Sequence, residues 1–100
     1  MLAPRDRIAE VLLGAADYIE RHGWCQGTSQ KGDGVCAAWA LTIAAGHDFS
    51  TSEEAGRRLI RSLGKNVRTV PATVPAWNDR IGRTQGEVIE ALRSAAFAAA

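Results

Sequence analysis

Four side chains in the sequence are of the types that bind zinc. His22 and Cys25 have the His-x-x-Cys spacing of half a site, and Cys36 and His47 could complete four ligands. The last two, however, lie at opposite ends of an apolar segment predicted to be a helix, about 16 Å apart along its axis. Because ligands must converge within about 2 Å of one ion, we expect no metal site and no cofactor. The alternative interpretation places His22 at a helix C-terminus and Cys36 in the core.

A second group of residues is similar to the papain-type arrangement. Gln30 is followed by Cys36 at the predicted start of a helix, with Trp39 one turn later. A helix N-terminus lowers a thiol pKa, but a nucleophile also needs a general base within hydrogen-bond reach. His47 is at the far end of the same helix, and a papain-like fold needs a much longer chain. We therefore expect no catalytic residue.

A row of basic residues could contact phosphates or an acidic protein. The row consists of Arg57, Arg58, Arg61, Lys65 and Arg68. Arg57, Arg61 and Lys65 are spaced four residues apart, so they share one helix face. The alternative is a solvated face whose cations suit the C-terminal half of a helix. The row lacks interleaved aromatic residues, and the formal net charge of the chain is only +1, so the nucleic-acid signal is weak.

A polar cluster with two tryptophans is expected around the start of the last helix. In it Asp79 is predicted to pair with Arg83 across the Gly82 turn, and Asn78 to satisfy backbone amides of a loop. Such a cluster either fastens the loop to the core or forms a groove with tryptophan walls. The structural interpretation is favoured, but this is where we expect any binding surface: Trp24, Gln26, Trp77, Asn78, Asp79, Arg83 and Thr84.

These residues must be positioned by a buried central helix. The segment Val35–Ala45 carries no charge on any face, which is typical of a helix buried on all sides. Asp33 is its predicted N-cap and Gly46 its predicted end. The preceding segment Trp24–Gly34 is rich in glycine and short polar residues, which favours a loop without strands.

The first helix is predicted from Pro4 to His22, with Gly23 as its C-terminal cap. Gly14 in its middle predicts close approach by a neighbouring helix. The third helix is predicted to start at a capping box and to end at Gly64. The possible capping boxes are Ser50 with Glu53 and Thr51 with Glu54, and the predicted buried face is Ala55, Leu59, Ile60 and Leu63.

The segment Lys65–Pro75 is predicted to be an extended loop, because prolines remove the donors that a sheet needs. A short helical turn should follow at Pro75. The last helix starts at a capping box of Thr84 with Glu87, and its predicted apolar face is Val88, Ile89, Leu92, Ala96 and Phe97. The fold is therefore predicted to be all-α: a compact four-helix domain formed by residues 1–100.

Composition agrees with one globular domain. The 100 residues are 46% hydrophobic and 23% charged. We expect no secretory signal and no membrane contact, because charge follows Met1 closely and no apolar run is long enough to span a bilayer. With only two cysteines, the protein is expected in the cytoplasm.

Two motifs stand out in the sequence: His22-Gly23-Trp24, and Trp77-Asn78-Asp79 followed by Gly82-Arg83-Thr84. With these motifs the chain resembles a family of small uncharacterised proteins of actinobacteria and their phages. The resemblance implies a compact helical fold and a phage or actinobacterial setting, and it supplies no catalytic residue.

The leading hypothesis is a non-enzymatic helical interaction module, an accessory protein of a phage or prophage, which binds another protein or itself. The alternative is a nucleic-acid-binding module that uses the row from Arg57 to Arg68. A cysteine- or metal-dependent enzyme is the third possibility.

Overall fold

The computed structural model describes residues 6–64 and 73–98, and these are mostly helical, as predicted. They form five helices and one two-stranded ribbon: α1 (Arg7–His22), β1 (Gln30–Lys31), β2 (Gly34–Val35), α2 (Ala37–Ala44), α3 (Phe49–Gly64), α4 (Val74–Asn78) and α5 (Gln85–Ala96). In the described part of the chain, no helix combines the length and apolar character needed to cross a bilayer.

The helix α1 lies at the centre of the fold and contacts α2, α3, α5 and β2. Its inward face is completely buried, at Val11, Leu12, Ala15, Ala16 and Ile19. The prediction that α2 is buried on all sides is wrong. Only Ala37, Ala40 and Leu41 of its eight residues are buried, and the half-buried Ala38 and Thr42 border a groove.

Both ends of α1 are capped. Asp6 is the N-cap, and its carboxylate accepts from the Ala9 amide at 2.7 Å. Gly23 ends the helix with a φ of 103°, as the sequence predicted. The predicted close approach at Gly14 is confirmed, since a Cβ there would lie 3.4 Å from the Cβ of Ala44. The proposed start at Pro4 lies outside the described residues.

The predicted loop Trp24–Gly34 contains an antiparallel ribbon, with Gln30 opposite Val35 and Lys31 opposite Gly34. The two-residue connection begins at Gly32, whose φ of 61° suits the first position of a tight hairpin turn. These strands lack the alternating apolar residues that mark a strand in a sequence, which is why they were not predicted.

The ribbon also changes the start of α2. Val35 belongs to β2 and pairs in parallel with Trp24. Asp33 lies in the hairpin turn, so the prediction that it caps α2 is wrong. The N-cap is Cys36, whose sulfur accepts from the Trp39 amide at 3.4 Å. At the other end α2 stops at Ala44, with Ala45 as its cap and Gly46 at φ 65° directly after it.

The helix α3 begins before the predicted capping boxes. The Asp48 carboxylate accepts from the Thr51 amide at 3.2 Å and from the Ser50 hydroxyl at 3.4 Å. Asp48 therefore performs the capping expected of Ser50 or Thr51. The described part of the helix reaches Gly64, the last described residue before position 73, so the predicted end at Gly64 stays a prediction. Ile60 and Leu63 are only half-buried.

Two residues of the predicted extended loop instead belong to α4. Val74 and Pro75 form its first turn, and the hydroxyl of Thr73 caps it by accepting from the Ala76 amide at 3.2 Å. Proline is tolerated there because the first turn of a helix has no carbonyl partner for its amides. The remaining loop prediction, at residues 65–72, lies outside the described residues.

The capping box that starts α5 is confirmed. The Thr84 hydroxyl accepts from the Glu87 amide at 3.2 Å, and the Glu87 carboxylate accepts from the Thr84 amide at 3.0 Å. Val88 and Leu92 are fully buried as predicted. Phe97 does not share this face, because the helix has ended at Ala96 and the ring is 71% exposed.

Replacing Gly34 by alanine should destabilise the fold. A Cβ at Gly34 would lie 3.1–3.2 Å from backbone atoms of Trp24, which cannot move without shifting the ribbon. We expect a loss of about 1–3 kcal/mol in the free energy of unfolding, measured by urea denaturation. The matched control is Gly86→Ala in α5, where nothing lies within 4 Å and alanine favours the helix. Equal stability of Gly34→Ala and the native protein would contradict this packing.

Candidate interaction surface

Asn78 is a completely buried polar residue at the end of α4. Its Oδ1 accepts from the Ala37 amide at 2.9 Å and from the indole Nε1 of Trp24 at 2.7 Å. Its Nδ2 donates to the carbonyl of Cys25 at 3.1 Å and to the carboxylate of Asp79 at 2.9 Å. The prediction that Asn78 satisfies amides of the loop is corrected: the loop group that it satisfies is the Cys25 carbonyl, and the backbone amide belongs to α2. One side chain thus joins α4 to α2 and to the loop after α1.

Two exposed residues extend these contacts. The Gln26 amide nitrogen donates to the carbonyls of Asn78 and Arg80, both at 2.9 Å. The Asp79 carboxylate accepts from the Gly27 amide at 3.0 Å. The Gly27 amide, and after it the Asn78 side chain, lower the pKa of Asp79 by hydrogen bonding to its ionised form. We call these four residues the Asn78 cluster: Trp24, Gln26, Asn78 and Asp79.

The predicted ion pair of Asp79 with Arg83 is wrong, because Asp79 instead accepts from Gly27. The Arg83 guanidinium lies over Trp77, 4.6 Å from the ring centroid, and its Nε donates to the Trp77 carbonyl at 3.0 Å. It also lies 3.7 Å from the Glu87 carboxylate. Trp77 itself is only 5% exposed. The predicted residues thus form two sets of internal contacts, one around Asn78 and one of Arg83 with Trp77 and Glu87.

Carboxylates of the same helix partly neutralise the basic row. Arg57 lies 2.9 Å from the Glu53 carboxylate and 3.6 Å from that of Glu54. Arg61 is exposed and, within residues 6–64 and 73–98, makes no ion pair. The row therefore offers less uncompensated positive charge than its sequence suggests.

Arg58 ties α3 to the start of α1. Its guanidinium donates to both carboxylate oxygens of Asp6, at 3.1 and 2.9 Å. Arg58, followed by the Ala9 amide, lowers the pKa of Asp6. Lys65 and Arg68, the other members of the row, lie outside the described residues. The nucleic-acid hypothesis stays a prediction, and the described arginines give it little support.

The two cysteines are free, buried and engaged locally. The Cys25 thiol donates to the Thr28 carbonyl at 3.4 Å, while Cys36 caps α2. Burial, and secondarily the nearby Cys36, raise the pKa of Cys25, which is the direction opposite to thiol activation. Gln30, which precedes Cys36 in the papain-like arrangement, donates from its side-chain amide to the Gly32 carbonyl within the hairpin.

The two histidines each contact an aromatic ring rather than a thiol. His22 lies against Tyr18, with ring centroids 4.3 Å apart, and His47 lies against Trp39 at 5.7 Å. Over the stretches that the structure describes, no three side chains of the metal-binding types come together.

A groove between α2, α3 and α4 was not predicted. Its volume is about 570 Å³, and it is open to solvent along one side. Phe49 at one end of the groove is 74% exposed. We call it the α3 groove, and the described residues that line it are Ala38, Leu41, Thr42, Phe49, Ser52, Glu53, Gly56, Arg57, Ile60, Arg61, Thr73, Val74 and Pro75.

The sequence does contain a sign of this groove. Phe49, Gly56 and Ile60 are spaced by seven and four residues, so they form a second apolar stripe on α3 beside the core stripe of Ala55 and Leu59. One helix with two such stripes has more apolar surface than one core contact buries. The sequence does not show which elements flank the second stripe.

A family model, described as a family of unknown function (DUF6197), matches residues 3–98. The chain belongs to this family. No curated protein and no solved structure matches the chain. Both motifs that carry the resemblance lie inside the DUF6197 match, and the hydrogen bond from Trp24 to Asn78 joins one motif to the other.

Replacing Asn78 by alanine should be strongly destabilising in this DUF6197 protein. The change leaves the buried Ala37 amide and the half-buried Trp24 indole without their acceptor, and an unsatisfied buried donor costs about 1–3 kcal/mol. We therefore expect a loss of about 2–5 kcal/mol in the free energy of unfolding, measured by urea denaturation followed by tryptophan fluorescence.

Gln26→Ala is the control for this experiment. It removes two hydrogen bonds of the same cluster, but at an exposed side chain, so it should cost no more than about 1 kcal/mol. Similar losses for both variants would mean that burial of Asn78 is not what makes it important.

Proposed function

We propose that the protein is a small, non-enzymatic interaction module that binds a partner protein in the α3 groove. The observation that carries this proposal is an open, largely apolar groove with a strongly exposed phenylalanine at its end. Large apolar surface patches with a polar edge are typical of sites where another molecule binds.

The shape of the groove favours a macromolecular partner. Sites for small molecules enclose most of their ligand, whereas the described residues enclose the α3 groove only in part. Its floor is formed by Leu41, Ile60 and Val74, and its edge by charged residues of α3. An apolar centre with a polar edge is the usual composition of a protein–protein interface.

The non-enzymatic part of the proposal is supported by the thiols. Cys25 and Cys36 are buried, and the sulfur of Cys36 is engaged in capping α2. Both thiols have backbone partners and both histidines contact aromatic rings, so no hydrogen bond joins a thiol to a histidine among the described residues.

The biological setting is also part of the proposal. The resemblance of the His22-Gly23-Trp24 and Trp77-Asn78-Asp79 motifs supports an accessory protein of a phage or prophage in an actinobacterial host. The two free thiols favour the reducing cytoplasm of that host.

Phe49→Ser tests the proposal. A photo-crosslinking residue at Ser52 in the groove should form a crosslink to a partner protein in an actinobacterial host, and Phe49→Ser should reduce its yield about tenfold or more. The reason is that loss of an aromatic anchor weakens an interface most strongly. The yield is measured by quantitative mass spectrometry.

Phe97→Ser is the matched control, since that ring is equally exposed but lies outside the α3 groove. It should leave the crosslink yield unchanged. Equal yields for the two phenylalanine variants, or no crosslink at Ser52, would contradict the proposal.

A further inference from the structure

We infer that the segment which binds in the α3 groove is an acidic amphipathic helix of about three turns. This inference rests on the proposed function and adds the chemical nature of the partner. Three observations support it: the length of the groove, the elements that line it and the charges at its edge.

The length follows from α3. The groove-lining residues of this helix run from Phe49 to Arg61 with alternating spacings of three and one residues, so they form one continuous stripe. Twelve steps of about 1.5 Å give a stripe of about 18 Å, or about three helical turns. A partner segment of matching length covers the stripe completely.

The elements at the groove favour a helix over an extended strand. Its described lining comes from α2, α3, α4 and the Thr73 cap, and the backbone groups within these helices are already hydrogen-bonded. A bound strand needs an open sheet edge, which these helices do not offer. A bound helix needs only an apolar face. Its apolar side chains, spaced by three, four and seven residues, would contact groove residues such as Leu41, Ile60 and Val74.

The charge at the edge favours an acidic partner. Arg57 and Arg61 lie one turn apart on α3 at the groove. Glu53 and Glu54 already engage Arg57, whereas Arg61 makes no ion pair within the described residues. A carboxylate of the partner can form an ion pair with Arg61, and this ion pair sets the direction in which the partner helix binds.

The experiment uses a displayed library of random 14-residue peptides, selected on the full chain and counter-selected on Phe49→Ser. Enriched peptides should carry apolar residues at helical spacing and an excess of Asp and Glu, and should gain helical circular dichroism on binding. Affinities are then measured by fluorescence anisotropy.

Arg61→Glu should weaken the enriched peptides about 2- to 10-fold, because a partner carboxylate then meets a like charge. This effect should largely disappear at about 1 M salt. Arg80→Glu, at an exposed arginine outside the groove, is the control and should change nothing. Basic peptides, peptides without helical periodicity, or no effect of Arg61→Glu would overturn the inference.

Failure of this inference is distinguishable from failure of the proposed function. If the crosslink at Ser52 depends on Phe49 but the enriched peptides are basic or extended, the proposed interaction module stands and the inference of an acidic helix is wrong. If light scattering shows a dimer of the native protein and a monomer of Phe49→Ser, a second copy of the chain occupies the α3 groove. That result also overturns the inference. Absence of both the crosslink and any enriched peptide removes both proposals.

Discussion

The buried side chain of Asn78 is the interaction on which the placement of α4 against α2 and the loop after α1 depends. The Ala37 amide is at the first residue of α2, where a helix provides no partner of its own, and Asn78 supplies the acceptor. The same oxygen accepts from the Trp24 indole, and the amide nitrogen donates back to the loop. An amide can do this because it combines donors and an acceptor, whereas an apolar side chain would leave these groups unsatisfied.

This constraint is what gives the α3 groove its second wall. The helix α4 has only five residues and cannot be stable by itself, so its position depends on contacts such as those of Asn78. It places Val74 against Gly56 of α3, where a Cβ would lie 3.3 Å from the Val74 methyl group. With α2 only eight residues long on the other side, α2 and α4 together cover only part of the sixteen-residue α3 within the described chain. The groove is therefore a consequence of one long helix between two short ones.

Local patterns predicted the helices well and their relative placement poorly. The end of α1 at Gly23 and the capping box of Thr84 with Glu87 depend on residues within one or two turns, and both were confirmed. The cap of α3 was assigned to the wrong residue, because Asp48 and the serine and threonine after it are all good capping residues. The ribbon was missed because its four residues carry no alternation.

The site was predicted only in part, for a physical reason. The residue types suggested that Trp24 and Asn78 belong to one cluster. The hydrogen bonds of Asn78, however, reach Ala37 and Trp24, which precede it by 41 and 54 positions in the chain. Such pairs are set by tertiary packing, which the spacing of residues does not reveal. The same holds for Arg83, which lies over Trp77 instead of pairing with Asp79.

The most direct test of this account is amide hydrogen exchange, measured by NMR at the Ala37 amide and the Trp24 indole N–H. The amide of a first helical residue normally exchanges rapidly, since it lacks an intrahelical partner. If Asn78 holds the fold together, both protons should exchange as slowly as the core amides of α1. Exchange of either proton at the rate of an open loop would contradict the central role of Asn78.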